Sequence, residues 1–286
     1  VNPSIVYAYC LAYKRSGPYG AKPAYDDLVQ GASGAAMLSA RASGGEPRFL
    51  PSLIVDKTSG LHLAMGILGA LVHRGRTGQG QLVEVPMLEA ITAFWMTEHL
   101  YDATYEPARG QIGYPRLLNP QRRPARSKDG YVCMLIVTDK HWNAFCNSLG
   151  REDLRTDPRV ATIAARANNQ HVVQQFVNEL APEKTTAEWL ALCDANDIPA
   201  MPVNDLDDVL EDPHLKATGF FTIREHPTEG PVRMTASPFD FSETPVEFRR
   251  HAGPLGADGP AVLKDAGYSS DEIADFEARG ILKVVR

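Results

Sequence analysis

The chain has 286 residues, 44% hydrophobic and 22% charged, with a formal net charge of −6. This balance permits a large core or two domains. It carries no broad basic field, which argues against nucleic acid as a main partner. No apolar run reaches the roughly 18 residues of a transmembrane helix, because Gly, His or Lys interrupts each one.

Residues 1–13 read as a buried strand, with Ile5, Val6, Tyr7 and Tyr9 as β-formers after an Asn2-Pro3 turn. The chain opens on Val1 with an interior-like strand, so the N-terminal part of a larger protein is expected to be missing. A Gly/Pro loop covers 14–27. Residues 27–40 suggest a helix packed through small side chains. From Thr58 to Arg74 the apolar positions Leu61, Met65, Leu68, Leu71 and Val72 recur at helical spacing. The basic, glycine-rich "RGRTGQGQ" is a suitable stop. A strand over 81–88 and a helix over 88–103 follow.

Composition then shifts. Residues 104–130 are rich in Pro, Gly and Arg and read as a long crossing linker. Asp129-Gly130 is a hairpin-type turn before the strand "YVCMLIV". Thr138 is placed to cap the next helix. Another helix is expected over 159–181. Thr185 or Thr186 should cap "TAEWLALCDAND", with Glu188 in capping position. After a proline-rich turn and a short helix, 219–250 reads as strand and turn, and 269–280 as a final amphipathic helix. No internal repeat stands out. The alternation points to an α/β chain.

The four cysteines, Cys10, Cys133, Cys146 and Cys193, form no CxxC pair and no zinc spacing. They read as buried, reduced thiols of a cytoplasmic protein, and no metal site is expected.

Asp56 follows the apolar run Leu53-Ile54-Val55 and precedes a Thr-Ser-Gly turn. One reading makes it the N-cap of the following helix. The other makes it a carboxylate nucleophile, with nearby backbone N–H groups beside the reacting carbonyl. Tyr25, Asp26 and Gln30 in "PAYDDLVQGASG" are candidates too, against a reading in which Asp26 or Asp27 caps the next helix. His73, Arg74 and Arg76 suit either anion contact or the helix C-terminus. The cluster Arg116, Arg122, Arg123, Arg126 and Lys128 is the strongest local charge feature. It reads as a solvated linker, or as contact with a polyanionic ligand or a partner subunit. Ser33 in Gly31-Ala-Ser-Gly34 is one residue short of a nucleophile elbow and is rejected as one.

Several stretches together resemble the class III CoA-transferases, the family of formyl-CoA and carnitine CoA-transferases and the related α-methylacyl-CoA racemases. They are "NPSIVYAY", "SGPYGAKPAYDDLVQGASG", "VDKTSGLHLAMGILGALVHRGRTGQGQLVEVPMLEA", "RPARSKDGYVCM", "PVNDLDDVLEDPHLKATGFF" and "SPFDFSETP". They occur in family order and span nearly the whole chain.

The resemblance implies an α/β fold: a portion of a Rossmann-like large domain plus a smaller α/β domain, in an interlocked homodimer. On that reading 1–103 is the remaining part of the large domain, 104–130 the linker, 131–218 the small domain, and 219–286 a return segment with a C-terminal helix. It further implies that Asp56, at a strand-to-helix junction, attacks an acyl-CoA thioester. An aspartyl anhydride and then an aspartyl-CoA thioester follow, and an acceptor carboxylate collects the CoA. Tyr25 and Asp26 map to a pair close to this site, with Gln30 in the same motif. Coenzyme A and acyl-CoA enter as substrates, with no tightly bound cofactor and no nucleic-acid or membrane partner.

The sequence departs from the family in three places. The upstream Rossmann-like half that carries much of the CoA surface is not in this chain. Lys14-Arg15 stands where the family has a Gly-containing turn, and "PLGADGPAVL" replaces a late acid-His motif. A racemase is the alternative of the same fold, but it needs two acid/base groups about the α-carbon. Its motif has His where this chain has Tyr25. A non-catalytic CoA-binding subunit is the alternative of another class.

Overall fold

A computed structural model describes residues 2–284. It divides into two units, Val1–Val203 and Asn204–Arg286.

The first unit begins with β1 (Val6–Leu11), paired in parallel with β2 (Gln81–Pro86) in a register running from Val6↔Gln81 to Leu11↔Pro86. Parallel neighbours need a long crossover. It comprises α1 (Asp26–Ala32), α2 (Ala35–Ser43) and α3 (Ile54–Thr77). The last of these packs on both strands. Contact with β2 is close, since a Cβ on Gly66 would lie 2.8 Å from Val83 Cγ1. Gly78, at φ 74°, ends α3 with its N–H on the Arg74 carbonyl, as the glycine-rich stop suggested.

The helix boundaries around the start of α3 differ from expectation. The helix expected over 27–40 is broken at Ser33-Gly34, where Gly34 turns left-handed at φ 87°. The break is held by Trp95 of α4 (Met87–His99), whose indole N–H donates to the Ser33 carbonyl at 3.2 Å. The expected start of α3 near Thr58 moves back to Ile54. Val55 joins Val29, Ala35, Ile91 and Trp95 in one buried cluster, so its burial favours helix where the apolar triplet alone resembled a strand end.

Beyond α4 the chain is pinned rather than free. Buried His99 accepts the Tyr114 N–H on Nδ1 at 3.2 Å, and its carbonyl accepts from Gly113 at 2.8 Å. A second core follows. Strands β3 (Ala125–Arg126), β4 (Tyr131–Met134) and β5 (Ala200–Pro202) form an antiparallel sheet in that order. Around it lie α5 (Asp139–Ser148), α6 (Glu152–Arg155), α7 (Ile163–Asn168), α8 (Gln170–Leu180) and α9 (Thr186–Asp194). Trp142, Phe145 and Trp189 stack through its centre at 6.1 and 6.0 Å.

The caps expected here form. Thr138 caps α5, and Thr185 with Glu188 makes a capping box on α9. The helix expected over 159–181 is two helices that meet at Asn169. Asp129 ties its turn to α9, accepting the Thr186 N–H at 2.8 Å. That bond holds the Asp129 carboxyl below the usual carboxylate range.

The second unit contains α10 (Leu206–Glu211), α11 (Pro213–Ala217), the hairpin of β6 (Phe221–His226) and β7 (Gly230–Thr235), α12 (Gly259–Asp265) and α13 (Ser270–Ala278). Ser269 and Glu272 form the capping box of α13.

Candidate active site

The N-terminus of α3 is where most of the sequence-derived candidates meet. The N-cap position is Leu53, which provides no side-chain cap, and Asp56 lies three residues further on in the first turn. Asp56 is therefore neither the N-cap nor the residue at a strand end: the stretch before Ile54 forms no strand. The cap comes from a distant part of the chain. Buried Asp26 accepts the N–H groups of Val55 at 2.9 Å and Asp56 at 3.1 Å, both on Oδ2.

Its other oxygen is also engaged. Asp26 Oδ1 accepts from Gln30 Nε2 at 2.7 Å. Gln30, wholly buried, accepts the Leu50 N–H on Oε1 at 2.8 Å and donates to the Ser52 carbonyl at 3.3 Å. Asp26 and Gln30 lie one turn apart on α1. Between them they fix the chain from Leu50 to Asp56. Asp26 does not cap its own helix: α1 begins on it, with Tyr25 in the N-cap position and no side-chain cap.

This arrangement decides the role left to each group. Asp56 is exposed, and its carboxylate has no hydrogen-bond or ion-pair partner among the described residues. The positive end of a 24-residue helix dipole faces it. The amides around it are in use. Ile54 donates to the Ser52 carbonyl at 2.8 Å, Lys57 to the Leu53 carbonyl at 3.1 Å, and Val55 and Asp56 to Asp26. The expected supply of backbone N–H groups for a reacting carbonyl is thus absent from residues 54–57, because Asp26 of α1 takes two of these amides and the local carbonyls of Ser52 and Leu53 take the others. Tyr25 is 80% exposed and its ring stays outside the Asp26–Gln30 network.

Sequence reasoning missed two neighbours. Cys10, on β1, is exposed rather than buried. Partial burial pushes its thiol up, the Ser59 hydroxyl beside it works the other way, and the Asp56 charge adds to the upward shift. Ser59 is buried and sits one turn after Asp56 on α3. That i, i+3 spacing was the available signal. Cys133 is exposed as well, whereas Cys146 and Cys193 are buried and pushed to about 11 by that burial. His62 bonds the Thr58 carbonyl within its own helix at 2.8 Å. Among the described residues no cluster of His, Cys, Asp and Glu could hold a metal ion. Nor is any described helix long and apolar enough to cross a membrane.

The sequence pattern of CoA-transferase family III matches residues 1–259. The succinate–glutarate CoA-transferase of Agrobacterium fabrum is 25% identical over 267 residues, covering 93% of this chain and 66% of that protein. The formyl-CoA:oxalate CoA-transferase of Escherichia coli O157:H7 is 28% identical over 302 residues, covering 96% of this chain and 71% of the relative. The crystal structure of Rv3272 from Mycobacterium tuberculosis superposes with a TM-score of 0.71 at 25% identity, over 85% of this chain and 65% of that one. The chain thus spans about two thirds of the length of such relatives.

Proposed function

We propose, from the premise that this chain belongs to CoA-transferase family III, that it moves CoA from an acyl-CoA thioester to a carboxylic acid with Asp56 as nucleophile. The observation that carries this reading is the division of labour between two carboxylates. Asp26 caps α3 through the Val55 and Asp56 amides, which leaves the Asp56 carboxylate exposed and unpaired in the first turn. A carboxylate held to a rigid helix, with no donor occupying its oxygens, suits nucleophilic attack.

In the first step an Asp56 oxygen bonds to the thioester carbonyl carbon, and the C–S bond breaks to release CoA thiolate. The product is a mixed anhydride. The thiolate then attacks the aspartyl carbonyl, the donor acid leaves as carboxylate, and an aspartyl-CoA thioester remains. Attack by an acceptor carboxylate reverses the sequence and regenerates Asp56. Each step exchanges one acyl bond for another, so no redox partner is required. Donors for the carbonyl oxygen come from outside residues 54–57, whose amides are occupied. We place Asp26 and Gln30 as positioning residues and Tyr25 at the substrate side. Coenzyme A is a substrate, no cofactor is tightly held, and the assembly is a homodimer.

The test uses succinyl-CoA with glutarate or oxalate, the acids named in the relatives. Hydroxylamine added during turnover should leave a hydroxamate on the peptide carrying Asp56, read by mass spectrometry. Asp56→Asn should abolish both adduct and CoA exchange. Full exchange in Asp56→Asn would overturn the assignment. Deuterium uptake at the substrate α-carbon without exchange would replace the transferase with a racemase.

A further inference from the structure

The strongest feature outside the Asp56 site lies in the second core of the first unit. A cavity of about 210 Å³ opens between the segment leading into β3, the strand β4 with its continuation, and α8. We propose that it binds a small carboxylic acid with an apolar body, independently of the Asp56 chemistry.

Charge is the first reason. Arg116, Arg122 and Arg123 all line the cavity. None forms an ion pair among the described residues, although arginines elsewhere in this unit, such as Arg151 and Arg159, pair with neighbouring aspartates. Three unpaired guanidinium groups at one opening, in a chain of net charge −6, make a local field that calls for an anion. Guanidinium forks match a carboxylate in bidentate geometry.

The floor is the second reason. Val132, Val173 and Val177 are buried and face the cavity from β4 and α8. Gln170 and Gln174 complete the α8 face at i, i+3, i+4, i+7 spacing. A bare inorganic anion gains nothing from such a floor, whereas an alkyl or aryl group does. The volume fits a fragment-sized molecule, since an apolar cavity of about 150 Å³ already binds benzene.

Rigidity is the third. Pro115, Pro120 and Pro124 restrict the arginine-bearing segment. Asn178 of α8 donates to the Gln121 carbonyl at 3.3 Å, and Ala125 enters the sheet opposite Val132. The wall is pinned on both sides of Arg122 and Arg123, as in a largely preformed ligand site.

The test is titration calorimetry of the whole chain with hexanoate, 1-hexanol and inorganic phosphate. Hexanoate should saturate a single site in the millimolar range or tighter. Hexanol and phosphate should each bind at least tenfold more weakly. The double variant Arg122→Ala/Arg123→Ala changes only exposed side chains. It should weaken hexanoate by about tenfold or more while melting at the native temperature. Asp56→Asn should leave hexanoate binding unchanged, which separates this site from the proposed transferase site. Phosphate binding as tightly as hexanoate would overturn the proposal in favour of a plain anion patch. So would failure of hexanoate to saturate, or equal hexanoate binding by the arginine variant.

Discussion

Removing the Asp26 carboxylate should loosen the start of α3 specifically. Asp26→Ala leaves the Val55 and Asp56 amides without their acceptor and removes one of the two partners of Gln30 Nε2, which keeps the Ser52 carbonyl. A lost helix cap costs about 0.5–2 kcal/mol, and each donor stranded in a buried setting about 1–3 kcal/mol. Partial access of water at the helix end limits the sum, so a net loss of about 2–4 kcal/mol is expected. Read by hydrogen exchange, that is roughly 30- to 900-fold faster exchange at Val55 and Asp56. The amides of α8, in the other core, should keep native protection.

Asp26→Asn refines the test. Its oxygen can still cap the amides, but its Nδ2 then meets Gln30 Nε2, donor against donor. Asp26→Asn should therefore be less protected at residues 55 and 56 than the native chain, but more than Asp26→Ala. Unchanged exchange in Asp26→Ala, or equal exchange in Asp26→Asn and Asp26→Ala, would refute the capping role.

Gly80→Ala should lower the melting temperature by several degrees, for a cost of about 2 kcal/mol or more. The new Cβ would collide with the Ile5 carbonyl where the chain runs into β1, and a native melting curve would show that this approach is not needed. Alkylation at pH 8 with iodoacetamide should label exposed Cys133 and, more slowly, Cys10. Cys146 and Cys193, buried and pushed to about 11, should stay unlabelled until the chain unfolds; peptide mass spectrometry reads the order.

In acid, Asp129 should contribute to unfolding of the second core. Its carboxyl is lowered from 3.8 by the Thr186 N–H and hydroxyl, so its stabilisation is present above that value. It is lost as pH falls through the folded value. Asp129→Asn should flatten the dependence of the unfolding midpoint below pH 4, followed by the fluorescence of Trp142 and Trp189.

Much of the fold was legible because its signals are local. The Thr138 cap, the Thr185–Glu188 and Ser269–Glu272 boxes and the Gly78 stop each join residues a few positions apart. Propensity and geometry act on one stretch of chain there, and reading it suffices. The acid at position 56 could be singled out in the same way, but its role could not. The competing readings of Asp56 turned on who caps α3, and the cap lies about thirty residues upstream in Asp26. That pairing exists because Val29 and Val55 are buried in one cluster, which brings α1 against the start of α3. Burial of Val55 likewise placed the helix start at Ile54, and hydrogen bonds to Asp26, Ser52 and Leu53 occupied the amides of residues 54–57.

The basic cluster makes the same point. Five cationic residues between 116 and 128 look alike in the sequence. Only the packing of the segment on α8 puts Arg116, Arg122 and Arg123 around a cavity, while Arg126 and Lys128 fall outside its lining. The sequence by itself determined which chemical groups are available and where helices begin and end by local rules. The tertiary structure decided which carboxylate is used up as a cap and which is left free, because that depends on contacts between segments distant in the chain.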